Sequence, residues 1–130
     1  GTCPDAPVLN PLIRALQTDV AAVRLWASVS LAEAGVTSAA KADPAAGQLL
    51  ISLRIDSESV VRSNCIWALD RLLEHLVEPR RLEVIEVFVR ALLQDGERSV
   101  RDEARTALEQ MESPDVLDRL QTLMDEGLFS

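Results

Sequence analysis

Apolar residues in this chain recur at steps of three and four, the spacing that places them along one side of a helix. Residues 56–76, DSESVVRSNCIWALDRLLEHL, open with polar groups and then set Val61, Cys65, Ala68, Leu69 and Leu72 on one stripe. Similar segments follow one another along the chain. The pattern predicts helices near 7–18, 20–34, 44–55, 57–76, 79–94, 97–111 and 114–126, and no strand. Pro44, Pro79 and Pro114 fall at expected helix starts, where the missing N–H costs nothing, and Pro7 or Pro11 serves the first helix. Gly35 is expected to end the second helix in a left-handed conformation.

The helices come in pairs, and the pairs repeat. TDVAAVRLWASVSLAEA, IDSESVVRSNCIWALDRL and QDGERSVRDEARTALEQM each hold an Asp, a short polar gap and a Val-Arg pair. The arginines, Arg24, Arg62 and Arg101, lie 38 and 39 residues apart. Three places after each Arg come Ala27, Cys65 and Ala104, and seven places after come Leu31, Leu69 and Leu108. Before Asp19, Asp56 and Asp95 the agreement continues, with Leu16, Leu53 and Leu92 three places upstream. One helix pair cannot bury its own stripe. Stacked pairs build a continuous core, and about three are the minimum for stability. A closed helical bundle is the competing architecture, but it does not require the same residue types at the same offset three times.

This pattern resembles HEAT repeats. The likeness rests on Asp19, Asp56 and Asp95, the Val-Arg pairs and the small-then-Leu spacing after them, and it covers nearly the whole chain. It implies an all-α fold: a right-handed α-solenoid of about seven helices, with repeats near residues 5–35, 43–76 and 78–112 and a capping helix over 113–127. It further implies that the second helices line a concave face and that Arg24, Arg62 and Arg101 meet the aspartates of adjacent repeats. The Asp-to-Arg gap is one residue shorter in the first unit, which sets Asp19 apart as a ladder member. An architecture of this kind does not name an activity.

Composition narrows the chemistry. A chain of 130 residues supports one domain with a real core. The formal net charge of −8 opposes a phosphate-tracking surface, so no nucleic acid is expected as a partner. No apolar run reaches membrane-spanning length, and no membrane partner is expected. Cys3 and Cys65 form no disulfide framework, which fits a reducing, cytoplasmic setting. His75 is the single histidine and reads as a surface residue near a helix end. Cys65 stands where the other units have Ala, so it reads as buried filler and not as a nucleophile. There is no Gly-rich phosphate loop and no CxxC pair. The expectation is a protein that is not an enzyme, with no metal and no cofactor.

That leaves surfaces. Advancing a second helix by about 100° per residue puts the Val, and the places three, six, seven and ten after the Arg, on the core side. Places one and five after the Arg fall opposite, and place four lies beside them. The third unit is polar there, with Asp102, Arg105 and Glu109. The first two units offer Leu25, Val29, Ile66 and Trp67. Trp26 falls on the flank and is assigned to the core. The candidate binding surface is Leu25, Val29, Ile66, Trp67, Asp70 and Arg105, and the expected partner is another protein, as a helix or extended peptide. Two alternatives stay open. One is a HEAT-type small-molecule or cofactor-handling protein that resembles the bilin lyases. The other is a structural segment of a longer solenoid, which exposed Leu117, Leu120 and Leu123 would favour.

Overall fold

A computed structural model describes residues 5–129. Seven α-helices follow in order: α1 Asp5–Leu16, α2 Ala21–Thr37, α3 Ala39–Ile55, α4 Ser59–Leu72, α5 Arg80–Gln94, α6 Arg98–Gln110 and α7 Pro114–Asp125. A 3-10 turn at Leu73–His75 extends α4, and the described residues contain no strand. Consecutive helices pack as hairpins, α1 on α2, α3 on α4 and α5 on α6. The hairpins join side by side, with α4 between α2 and α6, α3 between α1 and α5, and α7 on α6.

The stripes bury as their spacing requires. In α4, Val61, Cys65, Ala68, Leu69 and Leu72 are all inaccessible to solvent. In α6, Val100, Ala104 and Leu108 are the same. Phe88 of α5 is the largest fully buried side chain. Burying a side chain of Leu or Phe size contributes about 1.5–3 kcal/mol. The Ala and Cys positions contribute less area, but they let the helices come close.

Two boundaries differ from expectation. Gly35 does not end α2, which runs on to Thr37. A Cβ built on Gly35 would fall well inside contact distance of Leu72 Cδ2 and 3.3 Å from Ala42 Cα. The residue is glycine because α3 and α4 pass too close for a methyl group, not because the backbone needs a left-handed turn. Helix α3 starts at Ala39, five residues before Pro44, after a single extended residue at Ser38. Ala39, Ala40 and Ala42 are strong helix formers. Pro44 is the sixth residue of α3, past the first turn, and has no N–H to donate to the Ala40 carbonyl, so the helix forgoes that ladder bond. The left-handed glycine is instead Gly127, with φ +75. It ends α7 in a Schellman turn, where Gly127 N–H donates to Met124 and Leu128 N–H donates to Leu123.

The arginines link successive hairpins. Arg24 Nε donates to Asp56 Oδ2 at 2.8 Å and Arg24 Nη2 to Asp56 Oδ1 at 3.1 Å. Arg62 repeats this on Asp95, at 2.9 and 3.1 Å. Each Arg also holds a turn carbonyl six residues before it: Thr18 for Arg24, Asp56 for Arg62 and Asp95 for Arg101. That bond settles the register. Thr18, not Asp19, occupies the place of Asp56 and Asp95, and its hydroxyl turns back to the Ala15 carbonyl. Asp56 and Asp95 each also accept the backbone N–H two residues on, from Glu58 and Glu97. Among the described residues the Arg–Asp series comprises Arg24–Asp56 and Arg62–Asp95.

Candidate functional site

Trp67 projects from the middle of α4 with 37% of its surface exposed. The Arg71 guanidinium, one helical turn on, lies 5.1 Å from the ring centroid. Arg71 is in turn paired with Glu33 of α2. One face of the indole is thus held by a cation–π contact, worth about 0.5–1 kcal/mol at an exposed site. Trp67 borders an open depression of about 370 Å³, lined by Val29, Val60, Ser63, Asn64, Trp67 and Glu103. It spans α2, α4 and α6, so the packing of three hairpins sets its shape.

The six sequence candidates do not form one patch. Val29 and Trp67 meet in this depression. Leu25 is half-buried on α2, and its carbonyl accepts the Ser28 hydroxyl at 2.6 Å. Ile66 was expected to face outward and does not: it is fully buried. Asp70 borders a different depression with Val36, Arg71, Leu73, Glu74, Arg81, Gln110 and Met111, and burial raises its pKa. Arg105 sits at the far end, with its guanidinium 5.1 Å from the Phe129 ring.

Trp26 is the second correction. It was assigned to the core and is 58% exposed. Both errors have one cause. A second helix in this stack has a neighbour on each flank, not only a partner beneath it. Asn64, two after its Arg, donates to the hydroxyl of Ser28, four after its own Arg, at 2.5 Å. Place four of one second helix therefore faces place two of the next. Ile66 at place four of α4 is covered by α6, whereas among the described residues no earlier second helix lies beside Trp26 at place two of α2.

Val60 is the residue that sequence reasoning missed. It is exposed and seven residues before Trp67, so about two helical turns separate them on one face. Counting only forward from the Arg passed over it. Asn64 and Glu103, both at place two, join the lining through the same inter-helix seam.

Cys65 lies behind Trp67, fully buried, and burial pushes its thiol up to about 12. A thiol so buried and so weakly acidic is inert at neutral pH. Among the described residues no group of three or more His, Cys, Asp and Glu is placed to hold a metal ion. No described helix is long and apolar enough to cross a membrane. Cys3 lies outside the described residues.

The fold and site together define an all-helical protein of stacked helix pairs with an exposed aromatic on its second helices. No protein-family model matches the chain, and no curated protein sequence matches it.

Proposed function

We propose that the chain is a HEAT-like solenoid that serves as a protein-interaction scaffold, and that a short segment of another protein seats on the second helices at Trp67. The observation that carries this reading is the tryptophan itself. A large aromatic held half-exposed beside Val29 and Val60 gives a partner an apolar anchor point. The matching place in the third unit is Thr106, so the helix stack does not need an aromatic there. The partner is a helix or extended peptide that presents an apolar side chain flanked by Lys or Arg. Glu103 borders the depression, exposed Asp102 and Glu109 lie on the same helix, and the whole chain is strongly acidic.

A small-molecule role fits less well. Ligand pockets enclose most of the ligand surface, and the Trp67 depression is open. The spacer reading also loses support: of the three α7 leucines, Leu120 is buried, Leu123 packs on the core and only Leu117 is exposed.

The test is selection from a displayed random-peptide library on the wild-type chain, with Trp67→Ala as counter-target. Enriched peptides should carry an apolar residue flanked by basic ones. They should bind Trp67→Ala about thirtyfold more weakly, the loss expected for an anchor worth about 2 kcal/mol. Thermal unfolding should show that the variant stays folded. Peptides that bind both proteins equally, or no enrichment at all, would sink the proposal.

A further inference from the structure

The repeats act as internal controls for one another, and they single out a second surface. Val23, Val61 and Val100 precede the three arginines at equivalent places. Val61 and Val100 are wholly buried, while Val23 is 37% exposed. One turn further along, Trp26 stands where Asn64 and Glu103 stand, the place that faces a preceding second helix. Val20, one turn earlier, is exposed as well. Val23 and Trp26 lie one turn apart on the outer flank of α2, and Val20, the extended residue that precedes the helix, adds an exposed apolar side chain at its start. At the places equivalent to Val23, Val61 and Val100 are buried; at a place equivalent to Trp26, Asn64 bonds to Ser28 of α2; the places equivalent to Val20 hold exposed Glu58 and Glu97.

Two features bear on what covers this stripe. The aspartate place of the first unit holds no carboxylate: Thr18 stands there, its hydroxyl bonded to the Ala15 carbonyl and its own carbonyl accepting from Arg24. An added unit of the same kind would bring an arginine with no carboxylate in register. The stripe is also uncharged. Between residues 20 and 32 the one charged side chain is Arg24, which is turned to Asp56 and largely buried against it. A two-fold contact sets a surface against itself, so it demands a patch without like charges. On a chain of net charge −8, this stripe meets that condition.

We propose that α2 of one chain packs against α2 of a second copy through Val20, Val23 and Trp26, forming a two-fold dimer. The dimer continues the side-by-side packing of α6, α4 and α2 across the axis into α2, α4 and α6 of the partner. It leaves both Trp67 depressions outside the contact, and two copies of that site on one particle raise avidity for a partner with repeated motifs.

Sedimentation equilibrium over roughly three decades of concentration tests the contact directly. The wild type should show a monomer–dimer equilibrium, and Trp26→Ala should weaken it about thirtyfold, as for a central aromatic anchor. Val23→Glu should abolish it, because two like charges would then face each other at the axis. Spectroscopy supplies a second readout. The chain has two tryptophans, so in Trp67→Phe the emission comes from Trp26 alone. That emission should shift to the blue as concentration rises, and the Trp67→Phe dimer should be as tight as the wild type. A monomer at every concentration overturns the proposal, and so does a dimer indifferent to both α2 variants or a Trp26 spectrum that does not change with association.

Discussion

Gly35→Ala offers the sharpest test of how closely the helices approach. In an ordinary helix interior, Ala in place of Gly stabilises by about 0.8–1 kcal/mol. Here the added methyl would collide with Leu72 Cδ2 and press on Ala42 Cα at 3.3 Å. Leu72 is fully buried, so its Cδ2 would have to shift within the packed core, and the Ala42 contact is with its backbone Cα. Overpacking of this kind costs about 1–3 kcal/mol. The net expectation is a loss of about 1 kcal/mol, read as a fall in Tm of about 4 °C for a domain of this size. A double-mutant cycle removes the ambiguity of a small difference. Leu72→Ala alone should cost about 2–5 kcal/mol. With Leu72 truncated, the methyl at position 35 partly fills the cavity, so the double variant should be about 1–2 kcal/mol more stable than the sum of the single losses. Urea unfolding of the four proteins measures this. A Gly35→Ala protein more stable than the wild type, or a cycle additive within about 0.5 kcal/mol, would refute the close contact and with it the reason for glycine inside α2.

The Arg–Asp series makes unequal predictions for its aspartates. Asp95→Ala removes both bonds from Arg62 and the acceptor for the Glu97 N–H, and should cost about 2–4 kcal/mol. Asp19→Ala should stay within about 0.5 kcal/mol, because Thr18 holds the equivalent place. Equal losses in urea titrations would contradict the register. Cys65 predicts an alkaline dependence. Its folded pKa, near 12, lies above the unfolded value of about 8.5, so its contribution is whole below about pH 8.5 and is lost as pH rises toward 12. The chain has no Tyr, and Lys41 is its one lysine, so few other groups titrate there. Cys65→Ala, the residue type of the other two units, should remove a slope of up to about 1.4 kcal/mol per pH unit between pH 9 and 11. Identical slopes in denaturant titrations of the two proteins would contradict the burial.

Much of the fold is legible in the sequence because it is written three times. Ala27, Cys65 and Ala104 share an environment, as do Leu31, Leu69 and Leu108, and all six are buried. A single helical wheel, by contrast, supplies one core direction. It cannot show that α4 is packed from beneath and from both sides. Ile66 and Trp26 were misplaced for that reason, and the Asn64–Ser28 bond is the contact that corrects both. The Asp19 assignment failed in another way. Alignment by residue type favours the Asp, whereas the Arg24 bond follows the turn carbonyl and selects Thr18. Val60 needed no structure, since a count of seven back from Trp67 reaches it.

Repetition also separates what the fold requires from what it tolerates. A place that needs a given side chain for packing needs it in every unit, since each unit packs in the same way. The two tryptophans of this chain break that rule. The place of Trp67 holds Val29 and Thr106 in the other units, and the place of Trp26 holds Asn64 and Glu103. Neither indole is needed to complete the stack, and each stays part-exposed, 37% for Trp67 and 58% for Trp26. An exposed indole left in water forgoes much of the free energy its burial would release. Both residues fall on second helices, on different sides of the row: Trp67 on the outward face, Trp26 on the α2 flank turned away from α4. The two proposed contacts would account for both positions, one by a peptide lying across the second helices at Trp67 and the other by a second copy packed on the α2 flank. The two surfaces share no residue, so each variant tests its own contact while the other stays intact.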